Sequence, residues 1–408
     1  MHQQPLIPNL FRTEFTKITA VLCKLFGIAQ LQVAEDIASD TFLAALETWP
    51  YRGVPENPVA WLYAVAKNKA ASHIARSKAF TVKVAPGLQK AMQRDDGIHI
   101  DLTEKNITDS QLQMLFAVCH PAIPTEAQVG LALRVLCGFG IDEIATAFLT
   151  NKETINKRLF RAKEKLRDEK VDIEFPREAE IPKRIGGVLI TLYLLYSEGY
   201  YSESHDEVLR EDLCLEAMRL TYLLLGNETT NLPAVNALLA LMCFQSSRFK
   251  ARKTNPSGLV FYDDQNETLW DATLVEKGAR YLRKASQGNA LTKYHIEANI
   301  AYWYTVKADT PDKWENILQL HNHLLQVEYS PIAALNRTYA LAKANSKHAA
   351  IIEAEKLQLN TNAFYYALLG YLYTGIDTAK AKMGFENAIA LAKTQADKLA
   401  LRQKLEGL

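Results

Sequence analysis

Apolar residues along this chain recur mostly at intervals of three and four positions, the spacing of one face of an α-helix. Alternating runs of β-branched residues, which would indicate strands, are scarce. The first two predicted helices each carry an apolar stripe, formed by Phe11, Phe15, Ile18, Leu22 and Leu25 and by Val33, Ile37, Leu43 and Leu46. A third helix is expected to begin at Pro58, because proline is favoured in a first helical turn. The pattern as a whole predicts an all-α protein.

Breaks in the helical pattern divide the chain into domains. Regularity is lost between residues 81 and 109, where proline, glycine and aspartate residues indicate turns. We therefore expect a small helical domain at residues 1–80, a linker at 81–109 and a second small helical domain at 110–172. A long helical region, residues 182–408, follows a stretch marked by prolines. A chain of 408 residues is long enough for this organisation, since domains average roughly 150 residues.

The last region contains an internal repeat. Residues 363–393 match the spacing of a tetratricopeptide helix pair, in which small residues let two antiparallel helices approach. The expected positions are held by Gly370, Tyr371, Ala379, Phe385 and Ala388. Ala334-Leu335 precedes Ala367-Leu368 by 33 residues, close to the period of ~34 for this repeat. Residues 182–408 are therefore predicted to form stacked helical hairpins.

The composition favours a protein of the cytoplasm. Apolar residues make up 48% of the chain, but no stretch supplies the ~18 uninterrupted apolar residues of a membrane-spanning helix. The N-terminal residues lack the basic start and apolar run of an export signal, so we expect a cytoplasmic protein with no membrane partner. The five cysteines are far apart and form no CxxC pair, which indicates buried apolar residues and no metal site.

The stretch from Gly138 to Lys170 predicts two helices joined by a tight turn, a helix-turn-helix. The inward face of the first helix is expected to consist of Ile141, Ile144, Ala145 and Phe148. Thr150 and Glu153 are typical of a capping box, which would begin the second helix. The core-facing stripe of that second helix is expected to consist of Ile155, Leu159, Ala162 and Leu166.

A net charge of +1 hides a local concentration of positive charge on this second helix. From Lys152 to Lys170 there are eight basic and four acidic residues, a net of +4. Cations along such a helix neutralise phosphates, and residues near its start can reach base edges in the major groove. A solvated helix face is the alternative, since basic helices are common on protein surfaces. The preceding helix and turn favour DNA binding.

Residues 129–168 resemble the fourth region of extracytoplasmic-function sigma factors through the runs IDEIA and TINKRLFRAKEKLR. That region recognises the −35 element of a promoter. The resemblance implies DNA contacts from Lys152, Thr154, Lys157, Arg158 and Arg161.

The N-terminal region separates a sigma factor from other helix-turn-helix proteins. Residues 34–50, AEDIASDTFLAALETWP, resemble the second-region helix by which sigma factors dock on the β′ clamp of core RNA polymerase. The resemblance implies polymerase contacts from Asp36, Asp40, Phe42 and Leu43.

Residues 55–78 resemble the segment of a sigma factor that opens and recognises the −10 element. No acidic residue lies between Val59 and Lys78. Basic groups can follow the backbone of an opened strand, while aromatic surfaces or a pocket hold an unstacked base. The DNA-binding cations expected here are Lys67, Lys69 and Arg76.

The C-terminal region resembles the extension of one sigma-factor subgroup that carries a fused tetratricopeptide-like domain. The matching runs are LYLLYSEGYY, EDLCLEAMRL, DDQNETLWD and SPIAALNR. The resemblance implies that this domain, through an unknown ligand or protein partner, controls the sigma factor to which it is fused.

The chain is thus identified as a member of the extracytoplasmic-function sigma factors. Residues 1–80 are expected to be region 2, which binds core polymerase and −10 DNA. Residues 110–172 are expected to be region 4, which binds −35 DNA, and residues 182–408 to regulate both. We expect no enzymatic activity, no catalytic or metal-binding residues and no cofactor, because binding of the unpaired strand and of polymerase supplies the energy for opening DNA.

Two other functions stay open. The first is a conventional helix-turn-helix regulator with a ligand-sensing tetratricopeptide-like domain, which would not bind core polymerase. The second is an enzyme in the C-terminal region, whose acids and bases have no diagnostic spacing: Glu198, Glu216, Asp263, Asp264, His295, His321 and His323.

Overall fold

The computed structural model describes residues 6–84, 100–148, 150–200, 210–254, 258–260 and 262–408, and most of these residues lie in helices. The predicted all-α class is confirmed. The strands in the described part of the chain are two residues long: β1 (Lys253–Thr254) pairs antiparallel with β2 (Gly258–Leu259). Among these residues, no helix is both long enough and apolar enough to cross a membrane.

The chain forms two compact units, residues 1–191 and residues 192–408, and helix α8 (Ile181–Tyr200) contains the boundary between them. The other helices described in the first unit are α1 (Leu6–Phe26), α2 (Leu31–Arg52), α3 (Pro58–Val84), α4 (Glu104–Val118), α5 (Thr125–Leu131), α6 (Ile141–Ala147) and α7 (Lys152–Asp168).

Helix α1 forms the centre of the first unit by packing against α2, α3 and α4. It buries Phe15, Ile18 and Leu22 of its predicted stripe, whereas Leu25 at its end is exposed.

The stripe predicted for α2 is partly wrong, because Ile37 is buried but Leu43 and Leu46 are exposed. The buried face of α2 has the same three and four spacing with a different phase: Leu31, Glu35, Ala38, Phe42, Ala45 and Trp49. Each helical step turns the side chain by ~100°, so the residues that follow Phe42 and Ala45 point away from the core.

Pro58 begins α3, as predicted, and the helix continues to Val84. Both ends of the predicted linker, residues 81–109, are therefore helical, since α3 covers 81–84 and α4 begins at Glu104. Residues 85–99 of that linker lie outside the described part of the chain.

After α5 the backbone widens into a π-helical turn, Ala132–Leu136, before it reaches α6 and α7. The predicted inner face of α7 is confirmed by the burial of Ile155, Leu159, Ala162 and Leu166. The predicted cap of α7 is wrong: Asn151 and not Thr150 is the capping residue, and its Oδ1 accepts a hydrogen bond of 2.8 Å from the Thr154 N–H. Asparagine caps as well as threonine, and its position directly before Lys152 is the one that reaches this N–H.

The helices described in the second unit after α8 are α9 (Glu211–Leu225), α10 (Pro233–Ser246), α11 (Phe249–Arg252), α12 (Ala272–Ala285), α13 (Lys293–Trp303), α14 (Pro311–Val327), α15 (Pro331–Ala344), α16 (Lys347–Leu357), α17 (Ala363–Tyr373), α18 (Thr378–Leu391) and α19 (Gln395–Glu406).

Helices α13 to α19 each pack against the next along the chain, and α15 also contacts α17. Helices α17 and α18 come closest where Gly384 meets Gly370: a Cβ added to Gly384 would lie 2.6 Å from the Gly370 amide nitrogen. Phe385 and Ala388 are buried here, but Ala379 is exposed. Gly384, which was not predicted, therefore provides the close approach that small residues were expected to allow.

Candidate nucleic-acid interface

A groove between α2 and α3 brings together side chains predicted to bind two different partners. It encloses about 410 Å³, with Asp36 and Asp40 on the α2 side and Lys69 and Arg76 on the α3 side. Lys69 Nζ lies 3.8 Å from Asp40 Oδ2, and the Gln32 side chain donates a hydrogen bond of 3.0 Å to Asp36. One wall of the groove is thus acidic and the other is basic. Lys67 lies exposed on α3, two residues before Lys69.

Phe42 and Leu43 are neighbours on α2 with opposite environments. Phe42 is buried and packs edge-on against Phe11 of α1, with ring centroids 5.0 Å apart. It therefore holds α2 on the core and presents no surface to a partner in this structure. Leu43 is 51% exposed and presents an apolar surface directly beside the acidic wall.

Buried polar contacts fix α3 against α1. Tyr63 donates a hydrogen bond of 2.6 Å to Glu14 Oε2, and Lys17 donates one of 2.8 Å to Glu14 Oε1. Burial and the Glu14 carboxylate raise the pKa of Tyr63, so its hydroxyl keeps the proton that it donates. Trp61, half-buried one turn from the start of α3, packs edge-on against Trp49 of α2. These contacts set the direction in which the cations further along α3 project.

The second candidate surface is the exposed face of α7. Lys152, Lys157 and Arg161 are all exposed. Lys152 Nζ lies 2.8 Å from Asp142 of α6, and Lys157 Nζ lies 3.5 Å from Glu153. Exposed ion pairs of this kind contribute about 0–1 kcal/mol, so little energy is needed to separate these lysines from their carboxylates.

Arg158 and Thr154 are less available than the other predicted DNA-binding residues of α7. Arg158 Nη2 lies 3.1 Å from Glu126 of α5, and its guanidinium lies 5.5 Å from the centre of the Phe148 ring. Thr154 is half-buried, and its N–H is the one capped by Asn151. Arg158 thus helps to tie α7 to the helices before it, whereas Thr154 takes part in the cap that begins α7.

One buried carboxylate connects the two candidate surfaces. The Glu35 side chain, on α2, is 3% exposed and accepts hydrogen bonds from Arg134 Nε at 2.9 Å and from Lys163 Nζ at 2.8 Å. Lys163 lies on α7, and Arg134 lies in the π-helical turn, where its Nη1 also donates to the Phe139 carbonyl at 3.1 Å. Glu35 was not predicted as functional, although the sequence carries a signal. It is the charged residue within the three and four spacing of the buried face of α2 that the structure shows.

Cys23 of α1 lies beside this carboxylate and is completely buried. Burial raises the pKa of its thiol well above the usual value, Glu35 raises it further, and Lys163 opposes the rise. The thiol is therefore protonated at neutral pH, and a protonated, buried thiol is a poor nucleophile.

Three of the acids and bases considered for catalysis in the second unit, Asp263, Asp264 and His295, each have a different partner. Asp263 accepts a hydrogen bond of 2.9 Å from Tyr339, while Asp264 pairs with Lys404 at 2.6 Å. The Nδ1 atom of His295 accepts a hydrogen bond of 3.1 Å from the Thr292 N–H. Within the described ranges, no three histidine, cysteine, aspartate or glutamate residues are grouped in a way that could hold a metal ion.

Comparison with known proteins gives two family matches. Residues 10–80 match the family model for sigma-70 region 2, and residues 184–286 match a family of unknown function, DUF6596. The chain is 30% identical over 384 residues to the uncharacterized protein R00370 of Rhizobium meliloti (strain 1021), which covers 93% of this chain and 90% of that protein. No solved structure matches the chain.

Proposed function

Since this chain belongs to the same family as the Rhizobium meliloti protein and its residues 10–80 match sigma-70 region 2, we propose that it is a sigma factor of the extracytoplasmic-function type. Sigma-70 region 2 is a region that binds core RNA polymerase and promoter DNA, and the match supports a sigma-factor-like role in transcription initiation. The observation that carries the proposal is the α2–α3 groove, which places acidic and basic side chains on opposite walls inside the matched residues.

In this proposal α2 contacts the β′ clamp of core polymerase. Asp36 and Asp40 supply charge that orients the complex, and the exposed Leu43 supplies apolar contact area. Phe42 acts from inside, by holding α2 on α1.

Helix α3 contacts the opened strand of the −10 element. Lys67, Lys69 and Arg76 follow its phosphates, and the long ion pair between Lys69 and Asp40 costs little to exchange. Capture of unstacked bases together with polymerase binding supplies the energy for strand opening. The chain therefore needs no catalytic residue or nucleotide cofactor for this step.

Residues 110–172 act as region 4 and bind the −35 element through α7. Lys152, Lys157 and Arg161 contribute the most accessible charge, with Thr154 and Arg158 near the start of the helix. A helix that presents a basic face after a preceding helix and turn has the geometry that enters a major groove.

Residues 182–408 regulate these two regions by sensing a ligand or protein, and the protein acts in the cytoplasm with its polymerase. The stacking of α13 to α19 supports a tetratricopeptide-like architecture, since stacked helical hairpins provide extended binding surfaces.

The proposal is tested by mixing the full-length protein with core RNA polymerase. Wild type should co-elute with polymerase and support transcription from genomic fragments that the mixture selects. The double variant Asp36→Asn/Asp40→Asn should bind polymerase about 10-fold or more weakly, because each substitution removes one exposed charge from the interface. The matched control is Asp109→Asn, which changes an exposed acid of α4 outside the groove and should stay within about 2-fold of wild type.

A wild-type protein that binds duplex DNA, but neither binds polymerase nor supports transcription, would instead be the conventional regulator. Equal weakening by the double variant and by Asp109→Asn would show that the groove is not part of the polymerase interface.

A further inference from the structure

The contact between α2 and α7 spans a large distance along the chain. Glu35 and Lys163 are 128 residues apart in sequence, and Glu35 and Arg134 are 99 apart. A carboxylate this deeply buried is stable only while its cations stay in place, because an unpaired buried charge is strongly unfavourable. The Glu35 carboxylate is therefore stable in two situations: paired with both cations and shielded from water, or separated from them and hydrated.

Other contacts support the same docking. Helix α7 also packs against residues 28–30, the short turn that precedes α2. The chain reverses at Gly138, whose φ of +73° is a conformation that favours glycine, and a Cβ added there would lie 3.2 Å from Thr16 of α1. The segment from the π-helical turn to α7 is thus packed on α1 and α2.

This docked arrangement is too small for both promoter elements. Centres near −35 and −10 are roughly 25 base pairs apart, which is about 85 Å at the ~3.4 Å rise of B-DNA. A compact unit of 191 residues has a radius of gyration of about 16 Å, or roughly 40 Å across. While α7 is held on α2, the α2–α3 groove and the exposed face of α7 cannot lie on both elements of one promoter.

We propose that Glu35, Arg134 and Lys163 form a latch that holds the N-terminal unit closed and that separates when the protein engages polymerase and a complete promoter. This inference rests on the proposed sigma-factor function. In the closed state the groove and the exposed face of α7 are both open to solvent, so each element can be bound alone. The latch blocks only simultaneous binding of the two.

The latch is tested by the distance between spin labels on Tyr51→Cys and Asp168→Cys, two exposed positions at the ends of α2 and α7. Four of the native cysteines are buried outside the latch, and Cys23→Ser is included in every labelled variant because opening would expose the Cys23 thiol. The free wild-type protein should give one short distance. Glu35→Gln, which removes the charge and keeps the shape, should add a longer distance and raise the open-to-closed ratio at least about 10-fold.

The matched control is Glu14→Gln, which also removes a buried carboxylate bound to a lysine, but one that joins α1 to α3. It should leave the distance distribution as in wild type. Lys163→Gln should produce the same shift as Glu35→Gln in a smaller proportion of molecules, since Arg134 still pairs with Glu35. If Glu35→Gln loses its helical content, Lys163→Gln replaces it as the test of the latch.

With core polymerase and a selected duplex that carries both elements, wild type should move to the long distance. A short distance in that complex would overturn the proposal, and so would folded Glu35→Gln and Lys163→Gln variants with wild-type distances. Failure to bind polymerase would refute the sigma-factor function separately, because the distances in the free protein do not depend on it.

Discussion

The N-terminal unit and the helix stack α13–α19 join their helices in different ways. In the N-terminal unit, α2 and α7 meet through a buried carboxylate and two cations from distant parts of the chain. In the stack, each helix packs on its sequence neighbour, largely through apolar side chains such as Trp314, Tyr365 and Phe385. A charged contact can be exchanged for water or for another charge, whereas the stability of a stack is a sum over neighbouring interfaces. We therefore expect the N-terminal unit to rearrange and the helix stack α13–α19 to stay rigid.

The largest expected effect tests the apolar side of this comparison. Trp314 is almost completely buried and packs edge-on against Tyr304 and Tyr339. Trp314→Ala should lower the free energy of unfolding by about 3–5 kcal/mol, through lost apolar burial and the cavity left behind. Urea unfolding at low and high salt measures the loss, and hydrogen exchange in α14 and α15 locates it.

Most of the Trp314→Ala loss should be independent of salt; the remainder comes from the indole N–H, which donates a hydrogen bond to Asp309. Tyr329→Ala, at an exposed aromatic position, is the control and should change the free energy by less than about 0.5 kcal/mol. A loss below about 1 kcal/mol for Trp314→Ala would mean that the stack does not depend on its apolar contacts.

A smaller effect sharpens the comparison, because His321 is a polar residue inside the apolar stack. Both of its ring nitrogens lack a hydrogen-bond partner among the described residues, and burial lowers its pKa to about 4. The unfolded chain takes up this proton near pH 6.5, before the folded protein does. The associated stability is complete above pH 6.5 and is lost as the pH falls towards 4.

Between pH 7 and pH 5 this histidine should therefore reduce the free energy of unfolding by about 2 kcal/mol. His321→Leu should abolish that part of the pH dependence, as measured by urea unfolding at both pH values. His323→Gln, which changes the exposed histidine on the same helix, should keep it. An unchanged pH dependence in His321→Leu would show that this side chain is solvated in the folded protein.

The smallest expected effect tests the charged side of the comparison. Arg134 is partly exposed and leaves Lys163 on Glu35 when it is removed, so Arg134→Ala should cost only about 1 kcal/mol. That cost should fall only in part as salt is raised to about 1 M, because salt screens the partly exposed arginine but acts much less on its pairing with a buried carboxylate. Arg177→Ala, at an exposed arginine, is the control and should show neither effect. A loss that is independent of salt would indicate that Arg134 acts by packing.

Local patterns in the sequence predicted the all-α class and some individual helices but not the contacts between distant ones. The preference for proline in a first helical turn placed the start of α3 at Pro58, and periodicity placed the buried face of α7, because both depend only on nearby residues. The face of α2 was misassigned because one of its buried positions holds the charged residue Glu35. A stripe of apolar residues alone therefore included Leu43 and Leu46, which are exposed. The cap of α7 was placed one residue early because Thr150 and Asn151 are both good capping residues.

The candidate site shows the same limit. The resemblance predicted Asp36, Asp40, Lys69 and Arg76, and the structure brings all four to one groove. It did not predict that Phe42 is buried or that Glu35 reaches α7, since both facts depend on how residues far apart in the chain pack. Gly384 was missed for a similar reason. It is needed because α18 passes close to the backbone of Gly370, and a pattern of side chains does not reveal such a contact.

Cys23 provides a way to measure how fast the Glu35 cluster opens. Its thiol is buried and protonated while Lys163 and Glu35 lie beside it, so an alkylating reagent can reach it only after the surrounding helices have separated. The rate at which a mass spectrometer sees Cys23 become alkylated is then an opening rate of the unaltered protein. The sulfur atom of Cys23 can thus report the rearrangement of the native protein without an added label.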